Sequence, residues 1–336
     1  MSSYQLNFSR SQTECLKGIF ALGIVICHLC SRTGLGSSIG LGPIYTALGY
    51  WGVSIFLFIS GYGLMCRYLA IRGGYFVNYM KNRILPIYCL NILLIIVYTL
   101  LKWLVGRDFT MQEFLLSFAF GDTIVQFGWY LQVCMLFYLL FYISFRWVKE
   151  PVAGILVNSC LTIGYCIICY LIDVSSTWYE CSLSIIAGMA MAMLNTKVSE
   201  NSKSKQLLFL VVAGTLFFIS FILSGYKLFS SDLRLLLKVI SSVSFAMTVY
   251  FACCFIPLKG KILEWLGNHY LEIYILQGVS IILADEYLGR DNSLLYFMTC
   301  FVGTIILAAM MRIPIQSFIH FIKTHSVMKV SSNHEP

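Results

Sequence analysis

Ten stretches of this 336-residue chain are apolar for roughly 17 to 25 residues each, and this pattern limits the fold more than any other feature. A helix rises about 1.5 Å per residue, so each stretch is long enough to cross a hydrocarbon core about 30 Å thick. They fall at about 14 to 31, 48 to 66, 84 to 105, 128 to 147, 152 to 172, 178 to 195, 206 to 224, 235 to 256, 262 to 283 and 293 to 316. Lipid offers no partner for backbone N–H and C=O groups, so runs of this kind close their hydrogen bonds as helices. The expected fold is therefore all-α: a polytopic helical membrane protein with about ten transmembrane helices. The composition, 59% hydrophobic and 11% charged, excludes soluble globular, disordered and fibrous classes. No loop exceeds about twenty residues, so one domain over 1–336 is expected. The shorter run "MQEFLLSFAFG" at 111 to 121 is below spanning length and reads as an interfacial or re-entrant helix.

Lysine and arginine counted over the short loops give the orientation. With the N-terminus inside, sixteen lie on the cytoplasmic side, Lys197 and Lys329 among them, against five outside: Arg32, Arg107, Lys227, Arg234 and Arg290. Both termini are then cytoplasmic, with short tails at 1–13 and 317–336. The polar residues 1 to 13 precede an apolar run with no good small-x-small cleavage site, so that run is expected to stay as the first span. The net charge of +8 does not suggest a nucleic-acid partner, because the cations stand singly or in short clusters between apolar runs. The odd count of thirteen cysteines argues against a disulfide framework, and Cys166 and Cys169 lack a second pair or a suitably spaced histidine, so no metal is expected.

Ionisable groups inside a span are costly, and each is a candidate functional group. The first span, "ECLKGIFALGIVICHLC", opens on Glu14 and carries a lysine near one end and a histidine near the other. Lys17 and His28 are eleven positions apart, which places them within about 20° on one helix face and about 16 Å apart along the axis. His28 has the chemistry of a proton acceptor, and a histidine bonded to a neighbouring helix is the alternative. Lys17 by itself reads as a snorkelling, positive-inside lysine. Together they suit an elongated anionic substrate whose phosphates stay near the cytosol while its reactive end reaches into the bundle. Acyl-coenzyme A has that shape.

These residues resemble a known family. "ECLKGIFALGIVICH" is similar to the first-helix signature of the integral-membrane acyltransferase-3 family: an acidic residue, Leu-Arg-Gly, and a histidine eleven positions after the arginine. Glu14 stands where Asp is usual, and Lys17 where Arg is usual. "GYWGVSIFLFISGYGLM" at 49 to 65 resembles the family's "GVxxFFxxSG" helix. "YFVNYMKNRILPIY" at 75 to 88 resembles its "RxxRxxP" start to the third helix. "GWYLQV" at 128 to 133 resembles its Trp-[Phe/Tyr]-Leu helix, and "LGNHYLEIYILQ" at 266 to 277 its "LGxxSxxIYLxH" segment. The upstream arginine of the third-helix motif falls on or near Met80, which leaves Arg83, Lys81 and Arg72 as the basic cluster. Gln277 replaces the late histidine, and no hydrolase-like domain is expected after the tenth span.

The resemblance implies an O-acyltransferase of the bacterial cell membrane, expected to take acetyl from acetyl-CoA on the cytoplasmic side to a hydroxyl of an envelope polysaccharide or lipid-linked sugar. It implies His28 as base or acyl-accepting group, with Glu14 also in the catalytic set. Lys17, Arg83, Lys81 and Arg72 would hold the donor's charged end, and Ser60, Tyr62, Trp129, Tyr130 and Glu180 the acceptor. Other readings stay open: Ser60 and Gly61 as a packing motif, Trp129 and Tyr130 as interfacial aromatics, Glu180 and Glu272 as carboxylates paired with a neighbouring helix. Acceptor specificity is expected in the outer loops at 32 to 47, 106 to 127, 173 to 178, 225 to 234 and 284 to 292. The rival is a transporter or flippase, disfavoured because the two halves show no convincing repeat.

Overall fold

The computed structural model describes residues 8–35, 40–121, 123–200 and 203–325, and every regular element among them is helical. The α-helices are α1 (Arg10–Thr33), α2 (Gly42–Ile71), α3 (Leu85–Leu104), α4 (Met111–Leu116), α5 (Trp129–Trp147) and α6 (Pro151–Leu171). They continue with α7 (Leu183–Glu200), α8 (Lys203–Ser224), α9 (Ser231–Ala252), α10 (Lys261–Asn268), α11 (Tyr270–Tyr287) and α12 (Ser293–His325). Nine helical stretches among the described residues are long and apolar enough to cross a membrane, so the chain is an all-α polytopic membrane protein. Of the residues counted for orientation, Lys329 and the side chain of Lys197 lie outside the described set, as do 36–39 of the first outer loop and both ends of the expected tails.

The stretch expected as the ninth span is divided at His269 into α10 and α11. Helix α11 carries Glu272, Gln277 and Asp285, yet eleven of its eighteen residues are buried, Glu272 and Gln277 among them. It packs on α1, α3 and α12, so it meets protein where an outer helix meets lipid, and its polar groups find partners there. Helix α12 runs through Pro314 to His325, so the expected tail from 317 begins as helix. Helix α2 starts at Gly42 with Pro43 in its first turn, and this turns part of the expected 32 to 47 loop into helix.

Local signals set the ends of α1. Ser9 and Gln12 form a capping box, and Gly34 closes the other end at φ 70°, a conformation that glycine adopts without strain. Close approach fixes the crossings. A Cβ on Gly61 would collide with the Ile185 carbonyl, and one on Gly188 with the Phe58 carbonyl, so α2 and α7 meet backbone to backbone. Ser54 of α2 donates to the Ser242 carbonyl at 2.5 Å and lies 2.8 Å from the Ser184 hydroxyl, which ties α2, α7 and α9 together. Helix α10 crosses α1 in the same way: a Cβ on Gly18 would stand 2.6 Å from the Leu263 carbonyl oxygen, and one on Gly267 would strike the Glu14 carbonyl.

The run expected to be interfacial or re-entrant forms the short α4, capped by Thr110 and Glu113, and a non-helical return that reaches into the core. Asn91 and Gln132 both donate to the Ser117 carbonyl, Gln132 accepts from the Gly121 amide, and the Ile124 amide donates to Ser117 Oγ. These bonds replace the backbone pairing that a helix would supply, as a buried irregular segment requires. Where α11 ends, Asp285 accepts from Arg32, Arg290 and the Tyr296 hydroxyl, and Arg107 lies 3.4 Å away, so one carboxylate joins α1, the α3–α4 connection and α12.

Candidate active site

Helix α1 links two cavities, one near its start and one near its end, here termed proximal and distal. The proximal cavity, about 320 Å³, is lined by Glu14 and Lys17 of α1, Ser60 of α2, Arg83, Tyr130 of α5, Tyr270 of α11, and Arg312 and Lys323 of α12. Arg83 reaches it from a single π-helical turn, Met80–Ile84, that leads into Pro86 at the start of α3. Such turns break the regular side-chain spacing and are frequent at functional sites.

Charge is unevenly balanced there. Lys17 Nζ lies 3.3 Å from Glu14 Oε1 and 5.1 Å from the centre of the Tyr270 ring. Arg312 lies 3.2 Å from Oε1 of Glu272, whose side chain is 0% exposed, and also donates to the Asn268 carbonyl. Gln316 completes that group by donating to Glu272 at 2.7 Å. Arg83 and Lys323 form no ion pair among the described residues. Four cations against two carboxylates leave a surplus of two positive charges, which suits an anion with more than one negative group.

The distal cavity is larger, about 1080 Å³, and His28 lines it with Tyr50, Phe127, Trp129, Glu180, Lys238 and Tyr274. His28 Nδ1 stands 3.0 Å from Gln277 Oε1, and the imidazole lies flat on the Phe127 ring, with centres 3.7 Å apart and planes at 2°. Phe127 ends the inserted segment with φ 65°, unusual for a residue with a large side chain, and its carbonyl accepts from the Tyr274 hydroxyl at 2.9 Å. Tyr98 donates to the Ile275 carbonyl at 2.7 Å, and Gly278 leaves room for the Tyr98 hydroxyl and Gln126, so α11 and the inserted segment meet beside His28. Glu180 accepts from Ser176 at 3.1 Å and faces Lys238 at 3.8 Å.

The linings share no residue. Tyr130 of the proximal cavity and Tyr274 of the distal one touch edge to face with ring centres 5.1 Å apart, and Phe56 packs on both Tyr130 and Tyr270. An aromatic layer thus separates the surplus positive charge from the histidine.

The residues expected at the site divide accordingly. Lys17, Arg83, Ser60, Tyr130 and Glu14 line the proximal cavity; His28, Trp129 and Glu180 line the distal one. Glu14 is fourteen positions from His28, about 21 Å along α1, and pairs with Lys17, so it is not beside the histidine. Lys81 and Arg72 line neither cavity, because Arg72 caps α2 at φ 54° on an exposed turn and Lys81 leaves the π turn elsewhere. Tyr62 is buried against Phe8, Phe58 and Tyr250. Gly61 serves the α2–α7 crossing, and Glu272 pairs with α12. Sequence reasoning missed Gln277, Phe127 and Lys238 as cavity or contact residues, and read Arg312 and Lys323 only as loop charges. The α12 group carried a signal, since 312, 316, 319 and 323 follow the i, i+4, i+7, i+11 spacing of one helix face. Among the described residues no three His, Cys, Asp or Glu stand together to hold a metal ion.

The family model described as "Acyltransferase domain" matches residues 11–313 of the chain. No curated protein and no solved structure matches it.

Proposed function

Since the chain belongs to the acyltransferase family and is a membrane protein, we propose that it transfers acetyl from acetyl-CoA to a hydroxyl of an envelope carbohydrate, a polysaccharide or a lipid-linked sugar. In this reading the proximal cavity faces the cytoplasm of a bacterial cell, in keeping with the lysine and arginine count, and both termini lie on that side. Arg83, Lys323 and Arg312 hold the donor's phosphates, with Lys17 beside them. The distal cavity takes the acceptor, which Glu180 and Trp129 contact, the carboxylate through sugar hydroxyls and the indole through an apolar sugar face.

The reading is carried by one observation: a cavity with surplus positive charge and a cavity containing a histidine lie at the two ends of the same helix, about 16 Å apart from Lys17 to His28. A donor with charged groups at one end and a thioester at the tip of a long arm spans that separation. The arm must then pass the layer formed by Tyr130, Tyr270 and Tyr274.

His28 serves in either of two ways. As a general base it takes the proton of the acceptor hydroxyl while the oxygen attacks the thioester carbon. As a nucleophile it is acylated first and passes the group on. The test is His28→Ala in cells that make the modified glycan, scored by ester content. Loss of the ester at normal protein level is expected, and undiminished O-acylation would falsify the assignment.

A further inference from the structure

The contacts of His28 determine which of its two ring nitrogens is free to react. Gln277 is fully buried, and its side-chain nitrogen donates to the Tyr274 carbonyl at 2.9 Å. A carbonyl has no hydrogen to give, so the amide can be oriented only with its NH2 towards Tyr274 and Oε1 towards His28, 3.0 Å from Nδ1. Oε1 in turn only accepts. Nδ1 therefore carries the hydrogen, and a neutral imidazole then has its lone pair on Nε2. The opposite tautomer would bring two lone pairs together at 3.0 Å.

The ring cannot easily take another pose. Phe127 covers one face at 3.7 Å, its carbonyl holds the Tyr274 hydroxyl, the Tyr274 carbonyl holds Gln277, and Gln277 holds His28, so the contacts close a circuit of four residues. A half-turn of the imidazole would put a carbon where Nδ1 stands and lose the bond to Gln277.

We infer that Gln277 is a positioning residue that holds His28 as the Nδ1–H tautomer and so makes Nε2 the working nitrogen. The inference rests on the proposed role of His28. On the base route, the acceptor O–H bond breaks and its proton goes to Nε2. The oxygen's electron pair forms the new C–O bond to the acyl carbon; the C–S bond then breaks, and the thiolate leaves with its electron pair and takes the proton back from the imidazolium. Because Nδ1–H is present in both the neutral and the charged ring, its bond to Gln277 persists through the cycle. Nothing need reorient when the proton arrives.

The test reads the tautomer directly. Full-length protein labelled with 15N and 13C histidine is placed in lipid nanodiscs, and His28 is assigned by subtraction with His28→Asn. The wild type should show Nδ1–H and a bare Nε2; an Nε2–H ring would overturn the inference even if no Gln277 variant folds. In Gln277→Leu the Nε2–H form should appear, with kcat lowered about 10- to 100-fold and the donor KM within about twofold. Gln277→Glu, which keeps an accepting oxygen in place, should restore the Nδ1–H form and recover kcat to within about fivefold. An unchanged tautomer and kcat in Gln277→Leu would also overturn it. Full activity of His28→Ala would instead remove the catalytic role of His28 while leaving the tautomer measurable, so the two failures are distinguishable.

Discussion

Replacing Arg312 by Met tests the proximal cavity most sharply, because Arg312 lines the cavity and also neutralises a carboxylate that water cannot reach. Glu272 is 0% exposed and lies 3.2 Å from Arg312 Nη1, whose own side chain is 28% exposed. Removing one partner of a buried pair costs about 3 to 5 kcal/mol, since the other charge is left without compensation. Gln316 still donates to Glu272 at 2.7 Å, which puts the expected loss at the lower end, about 3 kcal/mol or roughly 150-fold in the folded-to-unfolded ratio. Reversible unfolding by SDS titration in mixed micelles measures it. Adding Glu272→Leu removes the stranded charge, and the double variant should return to within about 1 kcal/mol of the wild type. Donor affinity should not return with it, because the cavity has still lost a cation. A single variant as stable as the wild type, or a double variant no better than the single one, would refute the buried-pair argument.

Other outcomes follow from particular contacts. Gly61→Val should prevent accumulation in the membrane, because even a Cβ there meets the Ile185 carbonyl, whereas Gly63→Ala, with nothing within 4 Å, should be neutral or stabilise by up to about 1 kcal/mol; protein yield and unfolding midpoints compare them. At the end of α11, burial by itself would raise the Asp285 pKa, but the Tyr296 hydroxyl and the charges of Arg290 and Arg32 outweigh it and hold the carboxyl below its ordinary value. The group therefore stabilises above its unfolded pKa of about 3.9, and the contribution fades as pH falls through the lower folded value. Asp285→Asn should lose on the order of 2 kcal/mol at pH 7, discounted for the partly exposed arginines, and the gap from wild type should narrow as the pH is lowered through the folded value in the same unfolding assay. For turnover, Arg83→Ala should raise the donor KM about 10- to 100-fold by removing a charge-assisted contact, while Lys81→Ala, outside the cavity, should stay within about twofold in vesicle kinetics.

Hydropathy reads contact with lipid, and this explains which parts of the fold were legible in the sequence. The nine apolar helices among the described residues announce themselves because lipid demands apolar side chains over a full span. Helix α11 announces itself only as part of the apolar stretch at 262 to 283; its separation from α10 at His269 and its burial against α1, α3 and α12, which lets it carry Glu272 and Gln277, leave no mark in hydropathy. The run at 111 to 121 is legible as too short to span, but the bonds that hold its non-helical return are not, since those from Asn91 and Gln132 come from other helices. At the site, the alignment of Lys17 and His28 follows from helical period alone. The partner of His28 is 249 residues away in sequence, and that of Arg312 is 40 away, so both depend on packing that no local pattern encodes. The aromatic layer between the cavities arises in the same way, from tyrosines contributed by α5 and α11.

The two departures at the start of the first-helix signature have a joint physical consequence. A lysine lacks the planar fork with which an arginine grips phosphate, so Lys17 in isolation would weaken an anion site. In the fold it is not isolated: Glu14, one methylene longer than the usual Asp, reaches the ammonium at 3.3 Å, and the Tyr270 ring lies beneath it at 5.1 Å. The pair with Glu14 lies within α1 and takes up much of the lysine's charge, while the contact with Tyr270 joins α1 to α11, next to the Gly18 and Gly267 crossing that brings α10 onto the same turns. The surplus positive charge lies instead on residues that pair less completely, Arg83 from the π turn and Lys323 from the far end of α12. Anion recognition can therefore move from the first helix to its neighbours while the first helix keeps the histidine, provided that α12 stays helical past Pro314, as it does. The same continuity places Arg312, Gln316 and Lys323 on one face, so the part of the helix beyond the expected end of the last span adds the charge of Lys323 to the cavity that Lys17 lines.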